Sequence, residues 1–417
     1  MINLYQYQKD YLAKLPTRAI MAADTGVGKT FMSLAHYQQH AFGAPLLILA
    51  PASKVRTGDW EREITEFFGA GNEPEYSIYS YERFSRNPSL TQLKKGKRAI
   101  WQFYAPSKGG KQHAVIADEV HRAKNPQSGI GKALFAATYE ATFFVGLSAT
   151  PLPNGWIDFA NYSKVFNLTK NITAFKNRYV KIVDYKGFPE IVGYYREDEL
   201  AKQWQSVSRL LTKEGALDLP PKTFLGINFK RPPVYVKTML DRIAPDGTVL
   251  DTAPALVHAL RQTLTAPKMD YLSDILDGTN ENVVIFYNYI TEREAILEMI
   301  AKKHDKKVVF RQDGQKHELP AKATWANVKN SITLAHYRSG STGVEMTYAT
   351  QVVYFSPTYS YADYIQSIGR VYRNGQTSKT TFYNFRTRNT VEEDVYEALK
   401  NKRDFQEQQW VTKLDEE

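Results

Sequence analysis

The sequence contains no cysteine in its 417 residues. That absence excludes disulfide bonds, cysteine zinc sites and iron–sulfur clusters, and it fits a reducing compartment. No apolar run approaches the roughly 20 residues that cross a bilayer. The N-terminal residues also lack the charged-then-apolar pattern of a secretion signal. We therefore expect a cytoplasmic protein with no membrane partner.

The composition is that of a protein with full hydrophobic cores, since 43% of the residues are hydrophobic and 24% are charged. The length favours two or three domains. The formal net charge is +10, from 54 lysines and arginines against 44 acidic residues. This balance suits a polyanionic partner, although a merely basic protein would show it too.

The stretch 23–30, Ala-Asp-Thr-Gly-Val-Gly-Lys-Thr, has the pattern of a phosphate-binding loop. It follows an apolar run at 19–22, typical of a buried strand, and precedes apolar residues at helical spacing. Gly26 and Gly28 allow the backbone to bend so that its N–H groups point at phosphate oxygens beside a helix start. Ala23 stands where the usual pattern has its first glycine.

The side chains of this loop and of the segment before it predict an ATP site. Thr25 lies inside the loop, Lys29 is expected to reach the β- and γ-phosphates, and the Thr30 hydroxyl is expected to hold Mg²⁺. Gln8 can pair with an adenine edge through its amide, and Tyr7 can stack on the base. A surface glutamine near a helix start would look the same.

A carboxylate pair, Asp118 and Glu119, comes directly after the apolar run 114–117. Ligands of open α/β sheets bind outside the carboxyl ends of the strands. We expect Asp118 to complete the Mg²⁺ shell and Glu119 to orient and deprotonate the attacking water. The alternative is an acidic strand exit without chemistry.

Two arginines near the C-terminus, Arg370 and Arg373, are three residues apart, which predicts that both face one side of a helix. The planar guanidinium suits phosphate oxygens. Two such groups would stabilise charge on a transferring γ-phosphoryl group. Ordinary surface arginines on a helix are the alternative.

The order of apolar strand-like segments predicts an α/β protein with two domains. We place the first domain at 1–230, with a mostly helical insertion at about 152–220, and the second at 231–417. The second half repeats the rhythm of strands and helices but has no second phosphate loop.

The ordered motifs resemble the two-lobed motors of helicase superfamily 2, and most closely the Swi/Snf-type branch. The matching segments are 4–8, 23–30, 46–60, 80–82, 118–121, 124–126, 148–154, 337–347, 366–376 and 390–393. Two departures stand out. Ser148-Ala149-Thr150 replaces the branch's usual Thr-Gly-Thr, and Glu345 stands where the branch tends to have asparagine.

The resemblance implies two tandem RecA-like domains, ATP and Mg²⁺ as cofactors, and movement along DNA driven by hydrolysis in the cleft between the lobes. It adds Gln366 to the two arginines as a catalytic residue. It also implies sequence-independent contacts to the DNA backbone from five residues, namely Ser53, Lys54, Ser80, Ser339 and Thr342. An RNA-stimulated helicase and a non-translocating ATP-dependent switch stay open as alternatives. The small size resembles motors of phages or mobile elements, which would place the protein in a bacterium or a phage-infected host cell.

Overall fold

A computed structural model of the chain describes residues 3–87, 92–95, 98–101, 113–185, 188–213, 216–337, 344–401, 405 and 407–414. They form two compact units, Met1–Leu217 and Asp218–Glu417. Each unit contains a six-stranded parallel sheet flanked by helices, which confirms the predicted α/β fold with two tandem RecA-like domains.

The first unit is built on ten described strands and nine described α-helices. The strands are β1 (Arg18–Ala23), β2 (Leu46–Ala50), β3 (Tyr76–Ser80), β4 (Gln92–Lys95), β5 (Arg98–Trp101), β6 (Ala114–Asp118), β7 (Phe143–Ser148), β8 (Val180–Tyr185), β9 (Phe188–Tyr194) and β10 (Ser208–Leu211). The helices are α1 (Gln6–Leu12), α2 (Lys29–Ala41), α3 (Ala52–Arg56), α4 (Asp59–Phe68), α5 (Tyr81–Arg86), α6 (Gly129–Tyr139), α7 (Phe159–Val165), α8 (Ile172–Tyr179) and α9 (Glu197–Val207).

The main sheet of this unit has the order β10-β1-β7-β6-β2-β3. Its central strands are continuous apolar runs because both faces are covered. In β1, Ile20 packs into the core on one face, whereas Ala19 and Met21 pack into the core on the other. The carboxyl ends of β1, β6 and β7 therefore meet at one edge, where the phosphate loop and the acidic pair begin.

The second unit repeats this architecture. Its strands are β11 (Lys222–Phe229), β12 (Val283–Tyr287), β13 (Val308–Gln312), β14 (Ser331–His336), β15 (Gln351–Tyr354) and β16 (Thr380–Thr387), in the sheet order β11-β16-β15-β12-β14-β13. Its described α-helices are α10 (Pro233–Asp241), α11 (Ala253–Gln262), α12 (Ala266–Asp277), α13 (Ile290–Lys303), α14 (Tyr361–Val371), α15 (Val391–Lys400) and α16 (Glu407–Leu414).

The domain boundary predicted at residue 230 is wrong by one strand. The strand β11 pairs with β16 in parallel, from Lys222 opposite Thr380 to Phe229 opposite Thr387, and so belongs to the second unit. The local sequence of β11 carries no information on which sheet the strand would join.

The insertion at about 152–220 is only partly helical. It contains α7, α8 and α9, but also the antiparallel hairpin of β8 and β9. Its last strand, β10, joins the main sheet beside β1, with Ile20 opposite Ser208. A four-residue strand of mixed polarity has no periodic signal of its own, and its pairing with β1 decides its conformation.

Among the helices that the structure describes, none has the length and apolar character needed to cross a lipid bilayer.

Candidate nucleotide site

The phosphate loop joins the end of β1 to the start of α2 and depends on two left-handed glycines. Gly26 has φ +85° and Gly28 has φ +83°. A Cβ atom at Gly28 would lie 2.4 Å from Nε2 of Gln8, so a side chain there would displace the Gln8 amide as well as strain the left-handed backbone. This agrees with the sequence-based prediction that these glycines shape the loop.

The loop is braced from two sides by side chains and strands of the first unit. Gln8 donates through Nε2 to the carbonyl of Val27 at 3.0 Å, and its Oε1 accepts from the backbone N–H of Tyr5 at 2.9 Å. The Tyr7 hydroxyl donates to the same Val27 carbonyl at 3.1 Å. Both arms of the Gln8 amide are thus bonded within the protein, and adenine recognition by Gln8 and Tyr7 stays a prediction.

The strand β10, which the sequence did not reveal, holds the other side of the loop. The N–H of Asp24 donates to the carbonyl of Leu211 at 2.9 Å. The Asp24 carboxylate accepts from the N–H of Lys213 at 2.9 Å. Thr25, the next residue of the loop, is buried.

The Lys29 ammonium lies inside this loop. Its Nζ donates to the carbonyls of Ala23 at 2.8 Å and Asp24 at 2.9 Å. Burial lowers the pKa of Lys29 to about 8, although the negative charges of Glu119 and Asp118 act in the opposite direction. Lys29 is therefore close enough to the acidic pair for their charges to interact, as the motifs predict.

Asp118 is the last residue of β6, and one oxygen of its carboxylate carries two donors. Oδ2 accepts from Nζ of Lys54 at 2.6 Å and from Nε1 of Trp60 at 3.2 Å. Its backbone carbonyl accepts from the Tyr81 hydroxyl at 2.8 Å. Burial alone would raise the pKa of Asp118, but the Lys54 ammonium outweighs it and holds that pKa below its usual range.

Glu119 follows in a left-handed conformation with φ +50°, which is uncommon for a residue with a side chain. Strained backbone of this kind concentrates at functional sites. The residue is buried, and Oε2 has no hydrogen-bond partner among the described residues. An unpaired buried carboxylate oxygen is ready to accept a proton donor such as water.

A series of short polar contacts connects this turn to the end of β7. The ring Nδ1 of His121 lies 3.4 Å from Oε2 of Glu119 and 2.9 Å from Oγ of Ser148. Ser148 also accepts from the N–H of Thr150 at 3.0 Å. Burial lowers the pKa of His121, so the ring is neutral near pH 7. The Ser148 hydroxyl at this strand exit thus contacts His121 of the acidic motif.

The donor set fits Mg²⁺ bound together with a nucleotide. The described residues contain no group of three His, Asp or Glu side chains able to hold a metal ion by themselves. Mg²⁺ is commonly held by one or two carboxylates together with substrate phosphates and water. Asp118 and the Thr30 hydroxyl provide such oxygens, and the unpaired Oε2 of Glu119 adds an acceptor for water.

Sequence reasoning gave no role to Glu63, which lies on α4 three residues after Trp60. Burial raises the pKa of Glu63, partly offset by the charge of Lys54 and a hydrogen bond with Thr30. The signal was present, since Trp60 is fully buried and a residue three positions later lies on the same helix face.

In the second unit, the arginine motif begins on α14 but leaves it. Gln366 and Arg370 are buried on this helix, which ends at Val371. Tyr372 is extended and Gly375 is left-handed, with φ +98°. The prediction that Arg370 and Arg373 share one face of a helix is therefore wrong.

The reason for this early helix end is Gln376. Its Nε2 donates to the carbonyls of Thr347, Ala349 and Val371 at 3.1, 3.0 and 3.3 Å. The bonds to Thr347 and Ala349 hold the chain against the segment that follows β14.

Arg373 is held by Glu345, the residue at which the chain departs from the usual branch pattern. Nη1 of Arg373 lies 2.9 Å from Oε1 of Glu345, and the other carboxylate oxygen accepts from Lys322 at 3.0 Å. Nε of Arg373 is buried and has no hydrogen-bond partner among the described residues. One acidic side chain therefore orients this guanidinium.

The residues expected to contact nucleic acid have different surroundings. Ser53 is half-buried on α3. Lys54, on the same helix, pairs with Asp118 in the nucleotide site. Ser80 caps α5 by accepting from the N–H of Arg83 at 3.2 Å. Ser339 and Thr342 lie outside the described residues, and all five contacts stay predictions.

Each half of the chain matches a known protein family. Residues 1–152 match the family "Type III restriction enzyme, res subunit", and residues 267–375 match the family "Helicase conserved C-terminal domain". An uncharacterized ATP-dependent helicase of Mycoplasma genitalium is 22% identical over 97% of this chain and 42% of its own length. The chromodomain-helicase-DNA-binding protein 1 of Gallus gallus is 26% identical over 92% of this chain and 25% of its own length. The chain thus spans less than half the length of these relatives.

Among solved structures, the Hef helicase domain of Pyrococcus furiosus aligns with 94% of this chain and 97% of its own, with 13% identity and a TM-score of 0.51. That likeness concerns the fold. Together with the ordered motifs, the two family matches and the relatives confirm the predicted resemblance: this chain is similar to superfamily 2 ATP-dependent helicases of the Swi/Snf-type branch.

Proposed function

We propose that the chain is a nucleic-acid-stimulated ATPase that couples ATP hydrolysis to movement along DNA. The observation that carries this proposal is the arrangement of Lys29, Asp118 and Glu119 at the carboxyl edge of one parallel sheet. Lysine, a metal-side carboxylate and an unpaired buried carboxylate oxygen are the groups that phosphoryl transfer to water requires.

The hydrolytic roles follow from these positions. Lys29 and the loop N–H groups bind the β- and γ-phosphates. When the phosphates enter, Lys29 exchanges its hydrogen bonds to the loop carbonyls for bonds to phosphate oxygens. Asp118 and Thr30 would hold Mg²⁺, which supplies charge neutralisation on the phosphates when bound. Oε2 of Glu119 accepts a hydrogen bond from the attacking water and takes its proton.

The second unit supplies the remaining positive charge. Arg370 and Arg373 stabilise the charge that develops on the γ-phosphoryl group, an effect worth about 10³–10⁵ in rate. Gln366, on the same helix as Arg370, helps to orient the reacting groups. Because the first unit lacks these arginines, hydrolysis requires both units, and DNA stimulates it by favouring the state in which both act.

The choice of DNA rests on the relatives and on charge. One relative is named a chromodomain-helicase-DNA-binding protein. The net charge of +10 suits the phosphate backbone. Contacts to phosphates give binding that is independent of sequence and weakened by salt.

The experiment compares ATP turnover with no nucleic acid, single-stranded DNA, duplex DNA and RNA, beside a strand-displacement assay. We expect DNA to raise turnover at least tenfold, with the effect falling as salt rises. Stimulation by RNA alone would identify an RNA-dependent helicase. Equal turnover in all four conditions would refute the coupling of ATP hydrolysis to nucleic acid. It would favour the alternative of a non-translocating ATP-dependent switch.

A further inference from the structure

Lys54 is placed in the nucleotide site, although it comes from the segment expected to contact nucleic acid. Its Nζ lies 2.6 Å from Oδ2 of Asp118, and the side chains of the two residues are 21% and 3% exposed. Trp60 donates to the same oxygen at 3.2 Å. That oxygen therefore accepts two donors, one of them charged.

The fold explains this placement. The strands β2 and β6 are neighbours, with Leu49 opposite Ala117, and both end at the same edge of the sheet. The short helix α3 starts directly after Pro51 and carries Lys54 at its third position. The side chain thus reaches back over the sheet edge to the residue that ends β6.

Lys54 is the cation that pairs directly with Asp118. The other ammonium nearby, Lys29, donates its hydrogen bonds to the carbonyls of Ala23 and Asp24. The carboxylates of Glu119 and Glu63 also act on the Lys54 ammonium through their charge. The Lys54 ammonium therefore pairs directly with one carboxylate and feels the negative charge of two others.

We propose that Lys54 is an internal counter-ion that competes with Mg²⁺ for Asp118, and that it leaves Oδ2 when the metal–nucleotide complex binds. This inference rests on the proposed role of Asp118 at the metal. An ammonium 2.6 Å from a carboxylate oxygen and a metal ion on that oxygen repel each other, so one excludes the other. Lys54 thereby keeps the buried charge of Asp118 paired before the metal arrives, and it weakens metal binding by the free energy of that pair.

The test is the Mg²⁺ dependence of nucleotide binding, measured with a fluorescent non-hydrolysable ATP analogue, so that turnover plays no part. Lys54→Met keeps the length of the side chain and removes the charge. We expect the Mg²⁺ concentration at half-maximal binding to fall about three- to tenfold. Lys54→Arg, which keeps a cation, is expected to stay close to the wild type.

Arg56→Met is the matched control, because Arg56 is an exposed cation on the same short helix. It is expected to leave the Mg²⁺ titration unchanged, which separates a local effect from a change in net charge. Thermal unfolding of each variant confirms that the protein is folded. A Lys54→Gln variant repeats the test if the methionine variant does not fold.

An unchanged Mg²⁺ titration in Lys54→Met would overturn the proposal. If DNA affinity fell instead, Lys54 would be the nucleic-acid contact that the family resemblance implies. The Asp118→Asn variant distinguishes a failure of the counter-ion proposal from a failure of the proposed function. If Asp118→Asn left the Mg²⁺ titration unchanged, Asp118 would not be a metal ligand, and the proposed function would lose that residue. If Asp118→Asn shifted the titration and Lys54→Met did not, only the counter-ion role of Lys54 would be refuted.

Discussion

Replacing Gly28 with alanine tests whether α1 braces the phosphate loop. The substitution forces a left-handed alanine at φ +83°, which costs about 1–2 kcal/mol. Its Cβ would lie 2.4 Å from Nε2 of Gln8, so the amide must move and lose its bonds to Val27 and Tyr5. Each bond is worth about 0.5–1.5 kcal/mol, while the stiffer unfolded chain returns about 0.4–1 kcal/mol.

The expected loss in the free energy of unfolding is thus about 1–5 kcal/mol. A double-mutant cycle isolates the contact. In a Gln8→Ala background the amide is already absent, so Gly28→Ala should cost only the backbone strain, about 1 kcal/mol. Gly43→Ala is the matched control, because Gly43 has φ +94° and nothing within 4 Å of its added Cβ.

The assay is hydrogen exchange of β1 and α2 across a urea series for the wild type, both single variants and the double variant. A Gly28→Ala variant no less stable than Gly43→Ala would refute the reasoning. Strictly additive losses in the double variant would do the same, because the two residues would then not be coupled.

Three further predictions concern catalysis, pH and stability. Glu119→Gln should lower ATP turnover by about 10²–10⁴-fold with ATP affinity retained, as measured by steady-state hydrolysis and nucleotide binding. Normal turnover in this variant would reject Glu119 as the general base. Since burial lowers the pKa of Lys29 to about 8, the charged form is present below that pH, and affinity for ATP should fall from about pH 7 to about pH 9. A binding titration should show this fall in the wild type and not in Lys29→Arg, and a flat wild-type profile would contradict it. Lys268 is buried against Glu392, so Lys268→Met should lower the free energy of unfolding by about 3–5 kcal/mol in a urea titration. The double variant Lys268→Met with Glu392→Leu should recover most of the lost stability. A Lys268→Met variant as stable as the wild type would contradict this prediction.

The parts of the fold that the sequence predicts well are those with a strong local signal. The strand β6 is five buried residues in a row, and the phosphate loop needs glycines at fixed positions. The acidic pair lies at the carboxyl end of β6, so its place at the sheet edge depends only on the parallel arrangement. These features are local, and tertiary contacts do not alter them.

The features that the sequence could not predict depend on distant partners. The strand β11 finds its sheet through β16, more than 150 positions later. The helix α14 stops before Arg373 because Gln376 bonds to carbonyls of Thr347 and Ala349. Lys54 lies on a segment that the family resemblance links to nucleic acid, and only the pairing of β2 with β6 shows that it reaches Asp118.

In the proposed mechanism, hydrolysis uses one arginine-bearing unit and one phosphate-binding unit together. The most direct measurement is the ATP turnover of Arg370→Ala at saturating DNA, with Arg388→Ala, an exposed arginine of the same unit, as the control. We predict a loss of about 10³-fold or more for Arg370→Ala with ATP affinity retained, and normal turnover for the control. Wild-type turnover in Arg370→Ala would contradict the claim.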